Sequence, residues 1–181
     1  ILNCKKVGDF HLHEVTIAEG SLELNADVEL IIDSERREKI VSNHSATHLL
    51  HSALRKVLGE SVEQRGSLVN EEKLRFDFSH SNKVTDDQIM EIEDIVNLKI
   101  EEAIDTKTEV LPYEDALKTG ALAFFGDKYG EKVRVVYING DFSVEFCGGT
   151  HVKNTSEIGG FAVTNETSVS SGVRRIEAIS G

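Results

Sequence analysis

Two histidines one helical turn apart constrain how this chain can fold more than any other feature. His44 and His48 lie in residues 43–51 (NHSATHLLH), inside a pattern of apolar residues with helical spacing. Side chains at positions i and i+4 lie on one face of an α-helix, so both imidazoles can point at one object. Such a pair is a common way for a helix to hold a metal ion. The alternative is two histidines on a solvated or partly packed helix face.

A second group of metal-binding residue types follows far along the chain, in the run Cys147-Gly148-Gly149-Thr150-His151. It adds a thiolate and a third imidazole to the helical pair. Three imidazoles and one thiolate are a typical ligand set for zinc. The candidate ligands are therefore His44, His48, Cys147 and His151.

The surroundings of these residues leave two interpretations of the zinc site open. Four protein ligands can close the coordination shell, which is typical of structural zinc. Gly148 and Gly149 favour a site that also receives a ligand, because glycines let the backbone approach closely and leave N–H groups to donate. His51 shares the helix face and is a rival ligand. The acids that can orient the histidines are Glu145, Asp77 and Glu177.

Composition excludes several classes of protein. The 181 residues carry a formal charge of −12, which argues against a general nucleic-acid coat but allows a local basic patch. No apolar run approaches the roughly 20 residues of a membrane helix. With two cysteines, the simpler interpretation is a reduced cytoplasmic protein that uses one cysteine as a ligand. Because Ile1 is the first residue, we expect the chain to begin inside a longer protein.

The apolar patterns predict an α+β fold with antiparallel hairpins. Residues 1–33 are expected to be a β segment, the end of a small barrel, and residues 34–181 a separate domain. A long helix should start at Asp33 or Ser34 and end at Gly59, and a second helix should start with a capping box at Thr85. The expected strands cover residues 10–17, 28–32, 74–78, 109–111, 132–138, 142–146, 161–164 and 173–179.

Four segments, in order and spread over nearly the whole chain, resemble the editing domain of bacterial alanyl-tRNA synthetase. They are residues 43–51 (NHSATHLLH), 74–80 (LRFDFSH), 147–152 (CGGTHV) and 171–178 (SGVRRIEA). The paired histidines and the Cys147–His151 run also fit the related editing domain of threonyl-tRNA synthetase. The resemblance implies a fold with an antiparallel sheet packed against two long helices.

The resemblance also implies a zinc-dependent deacylase, with His44, His48, Cys147 and His151 as zinc ligands. Its substrate would be tRNA(Ala) mischarged with serine or glycine, and its parent protein an alanine–tRNA ligase whose remaining domains are its partners. Residues 62–69 (VEQRGSLV) match a family segment whose glutamine is tied to editing, so Gln64 is a candidate catalytic residue.

Chemistry suggests roles for the remaining candidates. The N–H groups of Gly148 and Gly149 can stabilise a developing oxyanion. Thr47 or Gln64 can sense a serine hydroxyl, which does not account for glycine, and the alternative for Thr47 is a helix threonine that bonds its own backbone. Arg174 and Arg175 can hold the terminal phosphates of tRNA. Neighbouring strand residues face opposite ways, so we expect one arginine at the site and the other paired with an acid. The competing function is a non-catalytic zinc-stabilised module that binds tRNA or a protein.

Overall fold

The computed structural model describes residues 1–123 and 129–181 and divides the chain into two compact units, 1–32 and 33–181. The described strands and helices, in chain order, are β1 (Asn3–Val7), β2 (Phe10–Glu14), α1 (Ser34–Leu58), β3 (Gln64–Val69), β4 (Leu74–Ser79), α2 (Asp86–Glu101), β5 (Lys107–Pro112), α3 (Tyr113–Lys118), β6 (Lys132–Ile138), β7 (Ser143–Phe146), β8 (Phe161–Ser170) and β9 (Val173–Ser180), with a short 3₁₀ helix at Thr155–Ile158.

The first unit contains an antiparallel ribbon of β1 and β2, whose side chains are exposed. The strand expected over residues 28–32 was wrong, because residues 15–33 contain no strand. An apolar run forms a strand only where a partner accepts its backbone hydrogen bonds, and the sequence pattern does not report that partner. The interpretation of residues 1–33 as the end of a small barrel stays a prediction.

Helix α1 is the longest element of the second unit, and the predicted ends of the helix are confirmed. The Asp33 side chain accepts a hydrogen bond from the Arg36 N–H at 3.0 Å, which satisfies one of the free N–H groups at the helix start. Gly59, at a φ of +106°, ends the helix and donates its N–H to the Arg55 carbonyl oxygen. Its C-terminal half buries Leu49, Leu50, Ala53 and Leu54.

Two antiparallel sheets complete the second unit. Four strands pair in the order β3-β4-β9-β8, and three pair in the order β5-β6-β7. The main core joins α1, the four-stranded sheet and α2 through buried side chains such as Leu50, Phe76, Phe78, Ile92 and Val96. The predicted α+β fold, with antiparallel sheets and two long helices, is therefore confirmed. Strand β8 runs beyond the predicted 161–164 because its polar second half continues to pair with β9.

The hairpin of β6 and β7 positions the second group of candidate ligands. Its turn contains Asn139 and Gly140 with φ of +55° and +61°, as the Asn-Gly pair predicts. Strand β7 ends at Phe146, so Cys147 begins the loop that leaves the sheet. The hairpin thereby places this loop beside α1, with Val152 in the same core.

The capping box at the start of α2 gives a test of the fold. Thr85 Oγ1 accepts the Gln88 N–H at 3.2 Å, and Gln88 Oε1 accepts the Thr85 N–H at 3.0 Å. We expect Thr85→Ala to lower the free energy of unfolding by about 1 kcal/mol, because it removes one of these caps. Urea unfolding measures the change. Ser81→Ala, in the exposed loop before the helix, is the control, and an equal loss in both variants would contradict the assigned cap.

Candidate metal centre

The structure brings the four candidate ligands together in one place. The potential ligand atoms of His44, His48, Cys147 and His151 all lie within 4.8 Å of one another. Cys147 Sγ lies 3.5 Å from His44 Nε2 and 3.3 Å from His151 Nε2. Sulfur and nitrogen bound to one tetrahedral zinc ion, at about 2.3 and 2.0 Å, stand about 3.5 Å apart. The spacing therefore suits one tetrahedral ion among these side chains.

Hydrogen bonds fix which nitrogen of His151 is available. Ser45 Oγ donates its only proton to the Val41 carbonyl oxygen at 2.9 Å and accepts the Val152 N–H at 3.0 Å. His151 Nδ1 lies 3.2 Å from the same oxygen, which has only a lone pair left to offer. Nδ1 must therefore carry the proton, and the lone pair of Nε2 faces Cys147.

His44 has the same arrangement. Its Nδ1 lies 3.2 Å from the Thr150 carbonyl oxygen, which can only accept. The proton consequently sits on Nδ1, and the lone pair of Nε2 points toward the Cys147 sulfur. Histidines that bind metals are commonly oriented in this way, with one ring nitrogen donating to an oxygen and the other left to the ion.

A buried carboxylate lies behind His48. Glu145 Oε2 is 3.2 Å from His48 Nδ1, a close contact that is poorly aligned for a hydrogen bond. Glu145 Oε1 lies 3.0 Å from His51 Nδ1. His51, the rival ligand, thus contacts Glu145 and lies outside the four-residue group. Burial opposes ionisation of Glu145, but His48, His51 and Ser143 outweigh it and lower the pKa of the carboxyl group.

The other two candidate acids pair with cations instead. Asp77 accepts two hydrogen bonds from the Arg175 guanidinium, and Glu177 accepts one from Lys73 Nζ at 2.6 Å. Of the three acids predicted to orient ligands, Glu145 is the one that contacts a histidine of the group.

The electrostatics of the group favour neutral imidazoles. Burial is the largest cause that lowers the pKa of His44 to about 4 and of His151 to about 2, and it also lowers the pKa of His48. Burial raises the pKa of the Cys147 thiol. Neutral imidazoles have the lone pairs that a metal ion needs, whereas a thiol gives up its proton on binding.

An arginine that the sequence analysis missed holds the ligand loop. Arg134, on β6, donates from Nη1 to the carbonyl oxygens of Cys147 and Gly149 at 2.9 and 2.5 Å. The Cys147 N–H donates in turn to the Arg134 carbonyl oxygen at 3.0 Å. The available signal was an arginine flanked by valines, in a strand whose hairpin partner leads into the loop.

The two glycines of the loop differ in what they do. A Cβ atom on Gly149 would lie 2.1 Å from His44 Cε1, so the loop needs glycine there for the ring to pack against it. The Gly149 N–H donates to Cys147 Sγ at 3.4 Å. The expectation that both N–H groups are free was therefore wrong for Gly149. A Cβ atom on Gly148 would meet no atom within 4 Å.

A small cavity of about 90 Å³ opens beside the four residues. At about 30 Å³ for each water molecule, it holds a group of about three waters. Thr47 and Gln64, the predicted catalytic residues, both line it, and Thr47 Oγ1 donates to the Asn43 carbonyl oxygen at 2.8 Å. The hydroxyl oxygen of Thr47 keeps lone pairs that can accept a proton from a ligand. The cavity is lined by His44, Thr47, His48, Gln64, Ser67, Val69, Phe76, Glu145 and Cys147.

A β-bulge positions Gln64. The pairing of β3 with β4 shifts register between Gln64 and Gly66, and bulges commonly redirect side chains near functional sites. An added Cβ atom on Gly66 would stand 3.4 Å from Asp77 Oδ2, an ordinary contact distance, so Gly66 lies against the carboxylate that Arg175 binds. The paired Asp77 therefore lies directly beside the bulge.

Both candidate RNA-binding arginines are occupied by acids. Arg174 donates to both carboxylate oxygens of Glu166 at 2.6 Å, and Arg175 binds Asp77 at 2.6 and 2.8 Å. The expectation that one arginine stays free for the site was wrong. Each arginine pairs with an acid on a neighbouring strand. The strand register that brings each pair together cannot be inferred from the sequence alone.

The comparisons with known proteins agree on one family. The pattern described as the threonyl and alanyl tRNA synthetase second additional domain matches residues 133–177. An alanine–tRNA ligase of Halalkalibacterium halodurans is 54% identical over 171 residues, which cover 94% of this chain and 19% of that protein. One from Pseudomonas fluorescens is 51% identical over 176 residues, covering 97% and 20%. The chain spans about a fifth of the length of these curated relatives.

None of the helices in residues 1–123 and 129–181 is both long enough and apolar enough to cross a membrane.

The contrast between the two glycines predicts how metal binding responds to mutation. We expect Gly149→Ala to weaken zinc binding at least tenfold, because the new methyl group forces His44 out of place. Gly148→Ala, which meets open space, should keep the parent's affinity. Competition with a chromophoric chelator measures both, and equal affinities in the two variants would contradict the packing described for Gly149.

The lowered pKa of His44 predicts a pH dependence of stability in the metal-free chain. The unfolded chain protonates His44 below its ordinary 6.5, whereas the folded chain does so only at about 4. The unfolded state binds more protons between these values, so stability falls as the pH falls through this range. Urea unfolding across the range should show a shallower fall in His44→Asn than in the parent. Identical slopes would contradict the burial of a neutral His44.

Proposed function

We propose, from the membership of this chain in the alanyl-tRNA synthetase family, that it hydrolyses the ester bond of tRNA(Ala) mischarged with serine or glycine. The observation that carries the proposal is the convergence of four metal-binding side chains beside a cavity of about 90 Å³. A cavity of this size suits a small aminoacyl group, and its volume alone does not distinguish glycine, alanine and serine, because alanine lies between the other two in size.

The physics of amino-acid selection explains why such a site is needed. An alanine pocket cannot strongly reject glycine, which is smaller, or serine, which adds one hydroxyl group. A missing methylene or an added hydroxyl gives a discrimination of only about 10–200-fold. A second site that hydrolyses the wrong product removes these errors.

Zinc is the ion that best fits the donor set. His44, His48, Cys147 and His151 would hold it, because three imidazoles and a thiolate suit zinc and their spacing suits a tetrahedral ion. When bound, zinc supplies a Lewis acid that can position the substrate's amino group or a water molecule.

Residues of this chain perform the remaining tasks in the proposed reaction. The Gly148 N–H donates to the oxyanion that develops on the ester carbonyl. Gly149 contributes through its missing side chain, which lets His44 pack against the loop. Gln64, held by the bulge, orients the ester or the attacking water across the cavity from the ligands.

Recognition of serine falls to groups that can accept a hydrogen bond. The Thr47 hydroxyl already donates to the Asn43 carbonyl, so its lone pairs can accept the proton of the serine hydroxyl. Gln64 Oε1 is the second candidate acceptor. The methyl group of alanine makes no such bond. This contrast separates serine from alanine only, because glycine has no hydroxyl group either.

The partners in the proposed function are the acceptor end of tRNA(Ala) and the remaining domains of a parent alanine–tRNA ligase, acting in the cytoplasm. Arg174 or Arg175 would contact the terminal phosphates only by releasing its carboxylate partner. With a formal charge of −12, this chain alone should bind tRNA weakly, so that the other domains supply most of the affinity.

One observation supports a different function. Four protein side chains can complete a tetrahedral shell, which is typical of structural zinc. The chain would then be a zinc-stabilised module that binds tRNA or a protein without catalysis. Hydrolysis that depends on Gln64, which is not a ligand, separates the two functions. The threonyl-type alternative is tested by replacing tRNA(Ala) with tRNA(Thr).

Two substitutions test the proposed function. We expect Cys147→Ala to abolish hydrolysis of Ser-tRNA(Ala) and to release the metal, because it removes the one thiolate ligand. We expect Gln64→Ala to reduce hydrolysis at least a hundredfold while keeping the metal, consistent with the usual contribution of one catalytic group. Both are measured in the synthetase that contains this chain, by release of labelled serine and by elemental analysis.

The control is Glu91→Gln on the exposed face of α2, which should change neither quantity. A metal-loaded, folded parent that does not deacylate Ser-tRNA(Ala) would contradict the enzymatic function and leave the binding module.

A further inference from the structure

We infer that Glu145 and His51 form a positioning pair that fixes the orientation of His48 in the metal centre. The inference rests on the proposed metal site and not on the hydrolysis. Neither residue belongs to the four-residue group: Glu145 contacts the candidate ligand His48, and His51 contacts Glu145.

The first observation is that one carboxylate bridges two histidines of α1. Glu145 Oε2 lies 3.2 Å from His48 Nδ1, and Glu145 Oε1 lies 3.0 Å from His51 Nδ1. Residues three apart on a helix share a face, so both rings reach the same strand residue. Glu145 itself stands two residues before Cys147, which ties the bridge to the ligand loop as well.

The second observation is that all three side chains of the bridge are buried. Glu145 is 2% exposed, and His48 and His51 are 3% and 4% exposed. A buried carboxylate is costly unless donors surround it, and chains rarely keep one without a specific need. Ser143 Oγ adds a weaker contact to Oε1 at 3.4 Å. His51 and Ser143 therefore hold the Glu145 carboxylate through Oε1, which keeps Oε2 beside His48 Nδ1.

His51 acts through Glu145. Its Nε2 is buried and has no hydrogen-bond partner among the described residues, so a proton there would be unsatisfied. The proton therefore sits on Nδ1 and is donated to Glu145 Oε1. The ring also packs against Phe76, with centroids 5.1 Å apart, which limits its rotation.

The bridge completes the orientation of the three ligand imidazoles. Oxygen atoms of Thr150 and Ser45 hold Nδ1 of His44 and of His151. At His48 the Glu145 Oε2 atom lies 3.2 Å from Nδ1, where a small change of alignment would complete the equivalent hydrogen bond. A carboxylate behind a ligating histidine sets its tautomer and its ring direction. In this centre only His48 depends on a charged group, and His51 determines where that group lies.

Metal affinity and the spectrum of the cobalt-substituted protein test the inference in the full chain. We expect Glu145→Gln and His51→Leu each to weaken zinc binding 10–100-fold, which is the usual effect of losing such a partner. His51→Asn keeps an N–H donor near the position of Nδ1 and should retain most of the affinity. The cobalt d–d bands should shift in the first two variants and stay near the parent's in His51→Asn.

A double-mutant comparison tests whether His51 acts through the carboxylate. In the Glu145→Gln background, His51→Leu should cause little further loss of affinity, because the group it positions is gone. Glu91→Gln and His11→Leu, which lie on exposed surface, are the matched controls and should bind zinc as the parent does.

Several results would overturn the inference. One is parental zinc affinity in folded Glu145→Gln and His51→Leu, and another is two losses that simply multiply in the double variant. If these variants do not fold, Ser143→Ala replaces them, and an unchanged cobalt spectrum with unchanged affinity would then count against the bridge. Metal binding that follows the inference without any deacylation would contradict the proposed function alone.

Discussion

The stability of the second unit depends on hydrogen bonds and ion pairs between the buried polar groups of α1 and distant parts of the chain. Asn43 bonds the Asn70 carbonyl and the Ser180 N–H, and Ser45 receives the Val152 N–H. His48 and His51 lie against Glu145. Each buried polar group that is left without a partner costs about 1–3 kcal/mol, so the stability of this helix depends on the distant groups that bond it. The core of this unit and its candidate site therefore form together.

This constraint explains why the ligand loop is held so firmly. Arg134 binds two of its carbonyl oxygens, the Gly149 N–H points at the sulfur, and the missing Cβ of Gly149 makes room for His44. Each contact fixes a different degree of freedom of the loop. An ion bound here would then be held by groups that need little rearrangement, as a precise metal centre requires.

The sequence allowed much of this to be predicted, and the misses share one cause. Local signals located α1, the capping box of α2 and the Asn139-Gly140 turn, because each depends on neighbours in the chain. Paired motifs predicted which four side chains would meet. The pairs of Arg174 with Glu166 and of Arg175 with Asp77 were not predicted, because they depend on strand register. The contacts of Arg134 depend on the same hairpin geometry, and the expected strand over residues 28–32 is absent from the first unit.

We propose that His44, His48, Cys147 and His151 bind one zinc ion in this chain. X-ray absorption at the zinc edge, on protein purified without chelators, tests it most directly. We expect one equivalent of zinc with one sulfur at about 2.3 Å and nitrogen ligands at about 2.0 Å, and loss of the sulfur signal in Cys147→Ser. A shell of nitrogen and oxygen alone in the parent, or a sulfur signal that survives Cys147→Ser, would contradict it.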